Sequence, residues 1–121
     1  MALILVINSK SGLAHAVGTA LETAGYEVLI VRDAEDASGS LNGKRPGLIL
    51  LGDTGHSMFQ QTSILKSNLL TRDVPIMLQS DDYSIFSLAY QQRLGVQAAL
   101  NTNYSTTHLI ATVRSMVSNI V

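Results

Sequence analysis

The chain has no cysteine, no tryptophan and only two prolines among its 121 residues. Without cysteine there is no disulfide framework, thiol nucleophile or thiolate metal site, so the fold must hold by burial and hydrogen bonding. Charge is scarce too: Asp, Glu, Lys and Arg make up 14% of the residues and the formal net charge is −1. With no basic excess there is no field to gather a phosphate backbone, and direct nucleic-acid binding is not expected. No apolar run approaches the roughly 20 residues that span a bilayer. No basic-then-apolar leader precedes "ALILVI", so a cytoplasmic protein off the membrane is expected. A surface left to Ser, Thr, Gln and Asn resists self-association less than a charged one, a first hint of a partner.

What is present is aliphatic. Hydrophobic residues reach 46% over a length that suits one core, and 1–121 is read as a single domain. "ALILVI" (2–7), "EVLIV" (27–31), "GLILL" (47–51), "VPIML" (74–78) and "VQAAL" (96–100) are short runs, several without polar alternation. Strands of that kind are buried on both faces, as in a parallel sheet. Between them lie helical patterns. Leu13, Val17, Ala20, Leu21 and Ala24 recur at helical spacing before Gly25, with Ser9 or Ser11 as cap. At the end of the chain Leu109, Val113, Met116 and Ile120 form a stripe behind Ser105 or Thr106. Five strand–helix alternations predict an α/β fold with a doubly wound, five-stranded parallel sheet. In such sheets ligands bind beyond the carboxyl ends of the strands. Those ends are Asn8 and Ser9, Gly52 and Asp53, Gln79 to Asp82, and Asn101 to Asn103.

In order and over nearly its whole length, the chain resembles the receiver domains of two-component response regulators. "ILVIN" stands where receivers have a strand ending in paired acids, and "AGYEVLIVRDAEDA" is similar to their second strand and turn. "RPGLILLGD" resembles the strand that carries the phosphorylated aspartate, and "RDVPIMLQS" the fourth strand with its hydroxyl residue. "LGVQAALNTNYSTTHLIATV" resembles the segment with the lysine and proline before the last helix. The resemblance implies a flavodoxin-like (βα)5 fold with strand order 2-1-3-4-5. It also implies a chemistry whose residues are gone. The acid-pair positions hold Asn8 and Ser9, the phosphoacceptor position Gly52, the lysine position Thr102 and the following proline position Asn103. The aromatic switch position holds Ala99, and only Ser80 keeps the family's residue type.

Magnesium needs several oxygen ligands with carboxylates among them, and phosphoryl transfer needs a nucleophile and a cation on the phosphoryl oxygens. With none of these in place, no enzymatic activity, cofactor or metal is expected. Asp53 stands one residue beyond the nucleophile position, where strand alternation would turn its side chain to the other face. Asp81 and Asp82 are expected to start the fourth helix, where negative charge is favourable. A metal site rebuilt from Asp53, Asp81 and Ser9 lacks the usual density of carboxylates. His15, His56 and His108 show no metal-ligand spacing, and only His56 falls near the crevice. "NSKSG" is also similar to a loop of lipid and nicotinamide-cofactor kinases, but their second glycine-rich segment is only loosely imitated by "LLGDTG". Lys10 reads as a solvated side chain.

With the chemistry gone, a surface is left. Receivers signal through the fourth helix, fifth strand and fifth helix, and the resemblance implies the same face here. On the fourth helix Ile85, Leu88 and Ala89 are expected against the sheet, and Phe86, Tyr90 and Arg93 on an outward stripe. Ile110, Val117 and Val121 widen the apolar stripe of the last helix beyond what a one-sided helix requires. The expectation is a pseudo-receiver: a phosphorylation-independent protein-interaction and regulatory module in bacterial signal transduction. Its expected partners are another protein, an output domain beyond Val121 in a longer response regulator, or a second copy docked through the same face. The alternative is a small-ligand sensor that uses the uncharged crevice of Asn8, Ser9, Gly52, Ser80 and Thr102.

Overall fold

A computed structural model describes residues 2–118. Strands and helices alternate as β1 (Leu3–Ile7), α1 (Ser11–Thr23), β2 (Glu27–Val31), α2 (Ala34–Ser40), β3 (Leu48–Leu51), α3 (Met58–Ser67) and β4 (Ile76–Ser80). A 3-10 turn (Tyr83–Phe86), α4 (Leu88–Leu94), β5 (Ala98–Asn101) and α5 (Thr106–Ser118) follow. All strand pairings are parallel, in the order β2-β1-β3-β4-β5. This is the doubly wound sheet that the alternation of apolar segments predicts, in the flavodoxin-like strand order that the receiver resemblance implies. Among the described residues no helix is long and apolar enough to cross a membrane.

The aliphatic runs of β1 and β3 are buried at every position because successive side chains feed opposite layers. Leu3, Leu5, Ile7, Ile49, Leu51, Ile76 and Leu78 pack with residues of α2, α3 and α4. Ile4, Val6, Leu48, Leu50 and Met77 pack with Val17 and Leu21 of α1 and with Leu109 and Val113 of α5. With both faces covered, hydrogen-bonding capacity and open space are left at the strand ends.

Three local readings are corrected. The fourth strand starts at Ile76 and runs on through Gln79 and Ser80, so that Ser80 pairs with Asn101. Pro75 has no N–H to give, and Val96, read as strand, instead closes α4 by donating its N–H to the Gln91 carbonyl. Neither Ser9 nor Ser11 caps α1: the N-cap is Lys10, with no side-chain hydrogen bond. The Ser9 hydroxyl is spent on the Asp53 carbonyl at 3.0 Å. Ser105 does cap α5, accepting from the His108 N–H at 3.1 Å.

The fourth helix is interrupted. Asp82 accepts from the Ser84 N–H and starts only the 3-10 turn, after which Ser87, in extended backbone, caps a fresh start at Leu88. The break resets the helical phase, so the face assignments made for one continuous helix fail. Ile85 is buried as expected, but Leu88 is 69% exposed and Ala89 is exposed too. Tyr90, placed on the outward stripe, is half-buried against the α2–α3–α4 core.

Candidate functional site

The carboxyl ends of β1, β3, β4 and β5 surround an open crevice of about 430 Å³. Asn8, Gly52, Asp53, Ser80 and Thr102 all line it, so the topology brings together most of the positions that the sequence singles out. Ser9 sits beside it, exposed, with both its N–H (2.7 Å) and its hydroxyl (3.0 Å) on the Asp53 carbonyl. Ala99 lies apart, half-buried against the α2–α3–α4 core.

The floor of the crevice is a contact between Asn8 and Gly52. Asn8 is buried, and its Oδ1 accepts from the Lys10 N–H at 2.9 Å, which orients the turn into α1. Its amide nitrogen then lies over Gly52, where a Cβ would come within 2.5 Å of Nδ2 and 3.1 Å of Cγ. The space into which a side chain at position 52 would grow is thus filled by Asn8. A side chain at position 52 would have to push the Asn8 amide aside, whereas Gly52 has no positive φ that calls for glycine.

Asp53 enters the crevice, contrary to the alternation argument, because the strand ends at Leu51 and pleating no longer dictates direction. Its Oδ1 accepts from the Gly55 N–H at 3.0 Å and its Oδ2 pairs with the Lys10 ammonium at 3.3 Å. Lys10 is therefore not simply solvated; it ties the β1–α1 loop to the β3–α3 loop. The Gly55 hydrogen bond and then Lys10 hold the Asp53 carboxyl below its ordinary value. A lowered folded pKa stabilises above the unfolded value of about 3.9 and loses that effect as pH falls through the folded one. For a pair this exposed the effect is small. The expected result is an Asp53 carboxyl that titrates below the ordinary aspartate value of about 3.9 in a carbon-detected NMR series, and moves upward in Lys10→Gln. An unmoved titration would remove Lys10 from the account.

The remaining polar groups are divided. Asp82 is lowered by the Ser84 backbone N–H and then the Ser84 hydroxyl, as a turn cap. Ser80 Oγ accepts from the Asp82 N–H at 3.0 Å, so the one hydroxyl that matches the receiver pattern helps to shape that turn. Gln79 is buried, and its Nε2 has no hydrogen-bond partner among the described residues. Burial pushes the neighbouring Tyr104 hydroxyl up, and the Gln79 amide, close by but outside hydrogen-bonding geometry, acts in the opposite direction. Of the histidines, His56 lines the crevice, and His15 and His108 are exposed on α1 and α5. The sequence places Gln79 at a strand end and leaves Lys10 solvated, but shows neither the burial of the one nor the partner of the other. A polar residue in an otherwise apolar fourth strand was a signal for Gln79, whereas the Lys10–Asp53 pair depends on two loops meeting.

On the proposed interaction face, Phe86 is 45% exposed and Arg93 is exposed, but two residues that the sequence reading left out of the stripe stand out more. Tyr83 is 79% and Leu88 69% exposed, and the Tyr83 and Phe86 rings lie 6.4 Å apart. Ile110 and Val117 of α5 are half-buried and pack on the α1–α5 core, which accounts for part of the widened stripe. Val121 lies outside the described residues.

No family model matches the chain. It is 27% identical over 120 residues to the phosphate regulon transcriptional regulatory protein PhoB of Pseudomonas aeruginosa, across 94% of this chain and 51% of that protein. The chain thus spans about half the length of the curated relative it matches. Among solved structures it superposes on the chemotaxis response regulator CheY4 of Vibrio cholerae with a TM-score of 0.83 at 19% identity, covering 96% of this chain and 98% of that one. A two-component response regulator from Clostridium difficile gives 0.83 at 17% identity over 99% and 98% of the two chains. The receiver domain of the sensor histidine kinase PA1611 from Pseudomonas aeruginosa, with magnesium coordinated in its active-site cleft, gives 0.78 at 18% over 97% and 98%. With five parallel strands in the order 2-1-3-4-5 and superpositions of this quality over nearly the whole of both chains, the chain has the receiver fold of two-component response regulators.

Proposed function

We propose that this domain is a pseudo-receiver, a phosphorylation-independent module that regulates through protein contacts in bacterial signal transduction. The observation that carries it is the Asn8 amide over Gly52, which fills the space a phosphoacceptor side chain would use. The carboxylates at the crevice do not replace the lost set. Of the three carboxylates that line the crevice, Asp53 has one oxygen on a backbone N–H and the other on Lys10, Asp82 caps a turn, and Asp81 is left as a single exposed carboxylate where magnesium needs several. Magnesium in the cleft is a property of the PA1611 receiver; here the equivalent strand ends offer an amide, a hydroxyl and a bare backbone. The half-length match to PhoB supports a place as the receiver-like part of a longer regulator whose output domain is its partner.

The test is exposure to acetyl phosphate or beryllofluoride with magnesium, read by intact mass and amide chemical shifts. The expected result is no adduct and no shift beyond that of magnesium alone. A stoichiometric, magnesium-dependent adduct would overturn the proposal.

A second reading, a small-ligand sensor, has one specific observation in its favour: the unpartnered Gln79 amide close to an uncharged crevice floor. Ligand binding to the folded state raises the melting temperature, so a thermal-shift screen separates the two readings. A hit whose effect disappears in Gln79→Leu or Thr102→Val would favour the sensor.

A further inference from the structure

We propose that Asp33, Glu35 and His56 form a binding site for a divalent first-row transition ion of the zinc class, at the rim of the strand-end pocket, which His56 also lines. The site does not depend on the function proposed above. Asp33 is the N-cap of α2, Glu35 lies in its first turn, and His56 belongs to the loop between β3 and α3. Far apart in sequence, they meet because both loops leave the carboxyl end of the same sheet. Each offers one ligand atom, and the three atoms lie within 4.8 Å of one another.

The side chains are partly organised for the task. Asp33 uses Oδ1 to accept from the Asp36 N–H at 2.9 Å, which fixes the carboxylate and leaves Oδ2 for an ion. Glu35 accepts through Oε1 from Gln61 Nε2 at 3.1 Å, and Oε2 stays available. Gln61 is itself buried and accepts from the Ala34 N–H at 2.7 Å through its other end. It acts as an outer-shell strut between α3 and the start of α2, the kind of partner that orients metal ligands. The His56 backbone is held by its N–H to Thr54 Oγ1 at 3.2 Å. Lys10, the basic side chain that lines the crevice, is already paired with Asp53.

The donor set selects the ion. Magnesium and calcium prefer oxygen ligands throughout, whereas imidazole suits zinc, cobalt, nickel and copper. Two carboxylates neutralise the charge of the ion, and three protein ligands leave a fourth position for water. Bonds of about 2.0–2.1 Å place tetrahedral ligand atoms roughly 3.3 Å apart. Glu35 and His56 are exposed and can close the remaining distance by side-chain rotation without disturbing the core. A bound ion would cross-link the start of α2 to the loop that carries Asp53.

The experiment uses the untagged chain, Co²⁺ as a visible-absorption probe and Zn²⁺ as a thermal-shift ligand. The expected result is one Co²⁺ per chain with imidazole-type ligand-field bands, and a melting temperature that rises with Zn²⁺. His56→Ala and Glu35→Gln should each weaken binding by at least the roughly 10- to 100-fold that loss of an outer-shell partner costs. Asp33→Asn preserves the helix cap while removing the anionic ligand, so its loss of affinity with an unchanged metal-free melt separates binding from folding. His15→Ala and His108→Ala should bind as the parent does. Co²⁺ binding that survives His56→Ala, an absence of Co²⁺ binding in the parent, or an equal thermal response to Mg²⁺ would overturn the assignment.

Discussion

Gly52→Asp is expected to lower the stability of the domain by about 1–3 kcal/mol and still leave it inert to acetyl phosphate. The new Cβ would sit 2.5 Å from Asn8 Nδ2, so Asn8 must turn away. It cannot do so freely, because its Oδ1 accepts the Lys10 N–H at the entry to α1, which has no side-chain cap of its own. The variant therefore suffers either overpacking or the loss of a helix-entry hydrogen bond worth about 1 kcal/mol. Even a well-tolerated aspartate would face no acid at Asn8 or Ser9 to help hold magnesium, and Thr102 brings no positive charge to the phosphoryl oxygens. A double-mutant cycle isolates the contact. Asn8→Ala should cost stability by itself, yet Gly52→Ala should cost much less in the Asn8→Ala background than in the parent, since the clashing amide is gone. Urea titrations of the four proteins give the coupling. Additive effects would show that Asn8 does not fill the position-52 space, and robust phosphorylation of Gly52→Asp would show the crevice to be competent.

The fold was legible because its determinants are local and redundant. Runs such as "LILVI" and "LILL" can be buried only between two helical layers, and the helices between them carry their own periodicity. Strand ends follow from the same pattern, which is why Asn8, Gly52, Ser80 and Thr102 fall at one crevice on sequence grounds alone. The misreadings occur where one hydrogen bond decides among similar local options. Ser9 was available as a cap but donates to Asp53 across the sheet, and Asn8 takes over the entry to α1. Ser87 breaks what periodicity presents as one helix, and everything inferred about the faces of residues 85–93 shifts with it. The Asp33–Glu35–His56 cluster and the Lys10–Asp53 pair need two loops to be positioned at once, and sequence spacing carries no information about that.

Because of the break at Ser87, the surface expected to carry binding is now Tyr83, Phe86 and Leu88 rather than a Phe86–Tyr90–Arg93 stripe. Large apolar side chains at 79%, 45% and 69% exposure, on a turn pinned by the Asp82 and Ser87 caps, present hydrophobic area at little further entropic cost. Tyrosine is also among the residue types enriched in binding hot spots. If the face pairs with a second copy, Tyr83→Ser combined with Leu88→Ser should raise the self-association Kd by about tenfold or more, at least 1.4 kcal/mol. Both positions are solvent-exposed, so the melting temperature of the monomer should hardly move. Tyr90→Ala should behave differently: its ring packs on the α2–α3–α4 core, and the loss should appear mainly in fold stability. Thr102→Ala serves as the crevice control and should leave association unchanged. Ser80→Ala is less clean, since Ser80 Oγ holds the Asp82 N–H at the start of the same turn. Sedimentation velocity over a concentration series, with thermal melts alongside, distinguishes these outcomes. Association lost in Thr102→Ala but kept in the Tyr83→Ser, Leu88→Ser variant would move the binding site from the turn to the crevice and favour the ligand-sensor reading.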